Sequence, residues 1–269
     1  MKITRLLAPL AVVVGTTMAI SSCEKKEDVV VKNEISEETL NQVRALGFST
    51  AEAQVVEGGI LVEGDILLTN EMLTSQPEYS MLRVGQEEQY RTTNLVSTSG
   101  GTRTITIRVS TNLPSAYVTA TDELIRRYNA ENLRLRFSRV TSGGNIVLSA
   151  APSGSSYLAS AGFPSGGNPY NSVSVNSAAI GTANATTYIA TILAHEVGHC
   201  IGFRHTDYAG RQYSCGGAAV NEGASSVGAI YIPGTATGND PTSWMLACIG
   251  SGANRPFNSN DRTALNYLY

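Results

Sequence analysis

The order of periodic segments predicts an α+β domain built on a mixed sheet, and three observations carry that prediction. Residues 104–109 and 133–140 alternate apolar and polar side chains with a period of two, the pattern of strands with one buried face. Residues 117–128 and 185–202 carry helical periodicity instead. Residues 206–243 sustain no period and are rich in turn formers, so irregular chain follows the second helix.

Taken in order, the chain opens on Met1-Lys2 and Arg5 ahead of an apolar run at 6–20. Fifteen residues are too few to span a bilayer but match the apolar centre of a secretory signal. Ile20-Ser21-Ser22-Cys23 then resembles the bacterial lipobox. That resemblance implies removal of a lipoprotein signal peptide, residues 1–22, and a lipid anchor on Cys23 that holds the protein at a membrane. Glu24-Lys25-Lys26-Glu27-Asp28 is similar to export signals of surface lipoproteins in some Gram-negative bacteria, which makes an outer-membrane or cell-surface location, with later release by cleavage, the expectation.

A tether follows, with a short helix at 37–46, and then an apolar run at 59–68 broken by Gly64-Asp65. The strand at 104–109, the helix at 117–128 and the strand at 133–140 come next, with another short strand at 145–150. Gly, Ser, Pro and Asn crowd residues 152–171, which read as a long loop, and 172–176 as the last strand of the sheet. A long helix covers 185–202, and Asn258 or Ser259 caps a final helix at 261–267.

Charge divides the chain. Residues 1–91 hold 8 Lys+Arg against 14 Asp+Glu, whereas residues 92–269 hold 11 Arg, no Lys and 8 Asp+Glu. Residues 23–91 are therefore either a pro-segment masking a domain at 92–269 or an acidic solvated linker. A formal net charge of −3 leaves no overall basic field, so a nucleic-acid partner is not expected. With Cys23 acylated, Cys200, Cys215 and Cys248 remain. Cys215 and Cys248 share the loop-rich C-terminal region and are the expected disulfide, although spacing alone leaves the other pairings open.

The chemistry is concentrated in His195-Glu196-Val197-Gly198-His199-Cys200-Ile201-Gly202-Phe203-Arg204-His205, which contains every histidine of the chain. His195 and His199, four residues apart on a helix, project from one face and can reach one ion. Glu196 follows the first ligand and is placed to act as general base on a water. Gly202 can end the helix in a left-handed conformation and return the chain so that His205 becomes the third ligand. Three imidazoles leave one position open, the arrangement of a single catalytic zinc ion.

This string resembles the metzincin consensus HExxHxxGxxH, and its wording is close to the dual-action HEIGH metallopeptidases, bacterial relatives in style of the astacins. The resemblance implies a metzincin-like zincin domain: a twisted mixed sheet, a long zinc helix and an irregular C-terminal subdomain. It further implies a zinc metalloendopeptidase acting on peptide or protein substrates as a monomer. It also implies a methionine turn beneath the metal, for which Met245 in Ser243-Trp244-Met245-Leu246 is the candidate. Astacin-like enzymes often carry a tyrosine two residues beyond that methionine; here the position is Ala247, and Tyr231 is the candidate substitute for oxyanion stabilisation. Val62-Glu63-Gly64-Asp65-Ile66 is similar to the F-x-G-D segment of astacin propeptides, which implies that Asp65 ligates zinc in a latent form released by cleavage near Arg91-Thr92; a Gly-Asp turn in a hairpin is the competing reading. Substrate is expected to pair with an edge strand near 145–150. The alternative function is a surface-binding lipoprotein with an inactive peptidase-like domain, and cell-wall peptides are an alternative substrate.

Overall fold

The computed structural model describes residues 34–46, 48–74, 89–223 and 227–269, all within one compact unit. The signal segment and Cys23 lie outside the described residues. The first part comprises α1 (Glu37–Ala45), β1 (Gln54–Val56), β2 (Gly59–Val62), β3 (Ile66–Thr69) and α2 (Asn70–Thr74). Ser36 caps α1 by accepting from the Thr39 N–H, and β2 and β3 are antiparallel with Val62 opposite Ile66. That register leaves Glu63-Gly64-Asp65 as a three-residue turn, so both anticipated readings of Gly64-Asp65 begin from the same hairpin.

The second part opens on β4 (Tyr90–Arg91) and β5 (Arg103–Val109), followed by α3 (Ser115–Ala130), β6 (Leu135–Val140) and β7 (Ile146–Ala150). Parallel pairing of β5 with β6 needs a crossover, and α3 supplies it. Its buried residues, Tyr117, Ala120, Thr121, Leu124, Arg127 and Tyr128, follow the 3–4 spacing of one helical stripe. Ile105 and Ile107, fully buried in β5, each contribute about 1.5–3 kcal/mol of transfer free energy beneath that stripe.

Next come β8 (Ala159–Ala161), β9 (Ser172–Val175), α4 (Ser177–Ile180), α5 (Thr186–Ile201), α6 (Gln212–Cys215), β10 (Ile230–Tyr231) and α7 (Ser259–Leu268). The sheet has the order β1-β2-β3-β8-β9-β7-β5-β6 and is mixed, with β8 antiparallel to β9 and the strands from β9 to β6 parallel. Asn258 caps α7 reciprocally with Asp261.

Two expectations change, and a third position is ordered. Residues 152–171 are not all loop, because Ala159-Ser160-Ala161 forms β8; three small residues carry no detectable period. The strand near 145–150 is not an edge, since β7 is hydrogen-bonded to β5 on one side and β9 on the other. Finally, a boundary at Arg91-Thr92 runs through ordered structure. β4 pairs with β10, Thr92 N–H donates to Gly202 O at 2.8 Å, and Gln89 and Thr92 are buried.

Candidate metal centre

The site begins with α5, buried from Tyr188 to Ile201. Tyr128 of α3 donates from its hydroxyl to Ala194 O at 2.8 Å, and the Arg127 guanidinium donates to Thr191 Oγ1, Thr187 O and Asn254 Oδ1, fixing the helix against the domain. The helix stops at Gly202, whose φ of +112° is left-handed and whose N–H reaches Gly198 O and His199 O. Phe203 N–H then folds back onto Gly198 O, and Thr206 N–H onto Met245 O at 3.0 Å, which brings His205 under the other two rings. The three ring centroids lie 4.7–5.2 Å apart.

Each imidazole is oriented through its far nitrogen. His195 Nδ1 donates to Trp244 O at 2.9 Å, His199 Nδ1 to Phe203 O at 2.8 Å and His205 Nδ1 to the Glu222 carboxylate at 2.9 and 3.1 Å. These acceptors take the Nδ1–H of each ring and turn every Nε2 toward one shared site. The Nε2 atoms of His199 and His205 are 3.2 Å apart, and Asp65 Oδ2 lies 3.2 Å from His195 Nε2 and 3.1 Å from His205 Nε2. Electron-rich atoms this close repel unless a cation or proton lies among them. Ligands at about 2.05 Å from a tetrahedral ion sit roughly 3.3 Å apart, so the donor set fits such a metal. All four ligand atoms lie within 4.8 Å of one another.

Two carboxylates of the hairpin enter this region. Asp65 is held well below the usual carboxylate range, burial being outweighed by the charge of and hydrogen bonds to the surrounding histidines. Glu63 adopts a left-handed φ of +55°, uncommon for a residue with a β-carbon. Its Oε2 accepts from Arg204 Nη2 at 3.2 Å, inside a pocket where Arg204 also faces Glu222 at 4.0 Å and stacks over Phe48 at 4.9 Å. Burial, then the neighbouring Glu222, raises the Glu63 carboxyl well above its ordinary value against the opposing pull of Arg204 and His205.

Glu196, next to the first histidine, is buried, and its Oε2 has no hydrogen-bond partner among the described residues. Burial, then the negative Asp65, pushes its pKa well up, while His205 pulls the other way. It borders a cleft of about 590 Å³ whose walls include Asp65, Leu158, Thr191, Ala247 and Arg255.

Beneath the rings, Ser243-Trp244-Met245-Leu246 forms a tight turn. Asp261 holds it by accepting from Ser243 Oγ at 2.9 Å and Trp244 N–H at 3.2 Å, while Gln89 Nε2 donates to the same carboxylate at 2.7 Å. A β-carbon on Gly198 would lie 2.6 Å from Met245 Sδ, so the glycine inside the histidine motif is what lets the turn approach the helix. Cys215 and Cys248 form a disulfide that ties α6 to the chain after this turn, and Cys200 is free and buried. Ala247 donates its N–H to Asp207 Oδ1 at 2.9 Å. Tyr231 lies on β10 with its hydroxyl donated to Thr235 O at 2.8 Å; it is not among the cleft-lining residues and is not a stand-in for the missing tyrosine.

Sequence reasoning missed Glu222 altogether, and the roles of Glu63, Arg204 and the Trp244 carbonyl. Glu222 lies in a stretch without period 17 residues beyond its histidine, and a turn supplying a carbonyl leaves no side-chain signature.

Two solved structures of myroilysin resemble the fold, each at 14% identity. One covers 64% of this chain and 83% of its own with a TM-score of 0.38, the other 62% and 90% with 0.35. No curated protein sequence matches. The profile of the dual-action HEIGH metallo-peptidases matches residues 60–269, from the hairpin through the histidine helix and Met245 turn to the C-terminus. A metal-ready histidine cluster beside a buried carboxylate thus coincides with a family match over most of the sequence, and the chain belongs to the dual-action HEIGH metallo-peptidase family.

Proposed function

We propose that the chain is a zinc-dependent endopeptidase of the metzincin type, exported, anchored through lipid on Cys23, and held latent by its own residues 34–74. The observation that carries the reading is the place of Asp65 Oδ2, at hydrogen-bonding distance from His195 Nε2 and His205 Nε2, where a nucleophilic water would have to stand. His195, His199 and His205 would hold zinc, which when bound supplies Lewis acidity toward a peptide carbonyl and a water. Glu196 takes the proton of the attacking water on its carboxylate and passes it to the leaving amine. Its burial beside the cleft raises its proton affinity toward that task. Glu222, the Trp244 carbonyl and the Phe203 carbonyl hold the three rings in register for the reaction.

The hairpin also covers β8. Ile66 of β3 pairs with Ala161, and Ala161 N–H donates to Asp65 O at 2.9 Å. Departure of residues 34–74 frees that edge for an extended peptide, which would add to β8 rather than to β7. Because Gln89 to Thr92 are built into the C-terminal part, the cut that permits this departure falls before Gln89 and leaves those residues with the catalytic domain.

Glu196→Gln is expected to retain zinc, measured by atomic absorption, while losing about 10²–10⁴-fold in peptide hydrolysis. Full activity in that variant sinks the mechanism. Asp65→Ala is expected to give the uncut chain measurable activity; if it stays as inactive as the uncut parent, the latency reading fails.

A further inference from the structure

Two arginines line the cleft beside Glu196, and they differ in what they face. Arg211 Nη1 lies 3.3 Å from Glu52 of the hairpin segment, and its Nε lies 3.8 Å from Glu222. Arg255 is half-buried; its Nη1 donates to Cys248 O at 2.8 Å and its own N–H to Thr191 Oγ1 at 3.1 Å. Among the described residues no carboxylate forms an ion pair with Arg255, and Asp207 and Asp261 act on it only from farther away. A guanidinium carries five donors and a charge that is costly to desolvate alone. Held against α5 without an acidic partner, and facing open space, it is placed to receive one from outside.

The hairpin sets the charge of that space. With it in place the charged wall groups are Glu52, Asp65, Glu196, Arg211 and Arg255; without it Glu196 and the two arginines remain. The segment that occupies the region is itself acidic, with eight carboxylates against one arginine in residues 34–74. Glu196 delivers a proton to the leaving amine, so the residue bearing that amine lies on the Glu196 side of the metal. From there the cleft runs along α5 past Thr191, one turn before His195, to Arg255.

We infer that the cleft selects peptides with an acidic side chain on the residue that carries the leaving amine, with Arg255 as its counter-ion and Arg211 adding to the field once Glu52 has gone. This rests on the peptidase reading above. A terminal carboxylate offers the same chemistry, and the assay separates the two sources.

The full chain, carrying a site-specific protease sequence inserted between residues 75 and 88, is folded with zinc and then cut. It is assayed on quenched peptides that differ only after the scissile bond, with Glu, Gln or Lys there, each with a free and an amidated C-terminus. The expected result is a kcat/KM for Glu about 10–100-fold above Gln in amidated peptides, falling at high salt. Arg255→Lys should retain the preference and Arg255→Glu reverse it toward Lys. Equal rates for Glu and Gln at low salt overturn the inference, as does a Glu preference that survives Arg255→Glu. Cleavage that disappears on amidation assigns the site to a terminal carboxylate and overturns it too. The salt comparison needs only the parent chain, so the test stands even if a variant fails to fold. If the parent cuts no peptide, even in an unbiased protein digest, the peptidase reading falls and takes the inference with it.

Discussion

Residues 34–74 and residues 89–269 are stabilised by different means and meet through a third. The larger part buries one continuous core, from Ile105 and Ile107 through α3 and α5 to Trp244 and α7. The smaller has its own cluster of Val43, Leu46, Phe48, Ile60, Val62, Ile66, Leu68 and Leu73, to which Phe163 is the fully buried contribution from the other part. Between them the strand pairing is one register, Ile66 with Ala161, and the deeper contacts are ionic, Glu63 to Arg204 and Asp65 to the histidines, with Glu52 to Arg211 at the surface. Buried ion pairs lose much of their Coulombic gain to desolvation, so they fix where the hairpin sits more than how tightly it is held. A small private core and ionic anchors therefore place the segment accurately while adding little to its attachment.

Core truncations test this division most severely. Ile107→Ala should cost about 4 kcal/mol and lower the melting of the whole described unit, whereas Val62→Ala should loosen the hairpin while leaving residues 89–269 close to the parent. Hydrogen exchange resolved by segment reads the difference, and equal loss of protection in both parts with Val62→Ala would mean that they share one cooperative unit. Next in size is Arg204→Gln, which leaves Glu63 and Glu222 as buried carboxylates without their cation, at about 3 kcal/mol. Urea denaturation gives that cost, and limited proteolysis should show residues 34–74 becoming susceptible first.

The smallest effect concerns the larger part alone. Burial raises the Asp261 carboxyl from 3.8 to about 6, against the bonds it accepts from Asn258, Ser243, Trp244 and Gln89. A carboxyl raised on folding contributes stability that is complete below its unfolded value and is lost as pH rises through the folded one. The parent should therefore lose about 2–3 kcal/mol relative to Asp261→Asn between pH 4 and pH 7. Urea midpoints across that range check the sign; a parent that gains on the variant as pH rises contradicts it.

The local features of the molecule were legible in its residues because they depend on neighbours a few positions apart. His195, Glu196 and His199 share a helix whose spacing sets their geometry, Gly202 ends it by left-handed φ, and the alternation of β5 and the cap at Asn258 report their own elements. What the chain could not show is anything that depends on which distant segments meet. β8 is three small residues defined only by its partners, so both the sheet edge and its cover by β3 escaped notice. Glu222 orients His205, Glu63 finds Arg204, and Arg255 faces the cleft without a carboxylate, each by a fold-imposed approach that leaves no periodic trace. The sequence by itself determined the metal-binding motif and the glutamate beside it, because spacing along one helix is enough. Only the tertiary structure decided that an acidic hairpin stands over them, because desolvated charges are matched in space and not along the chain.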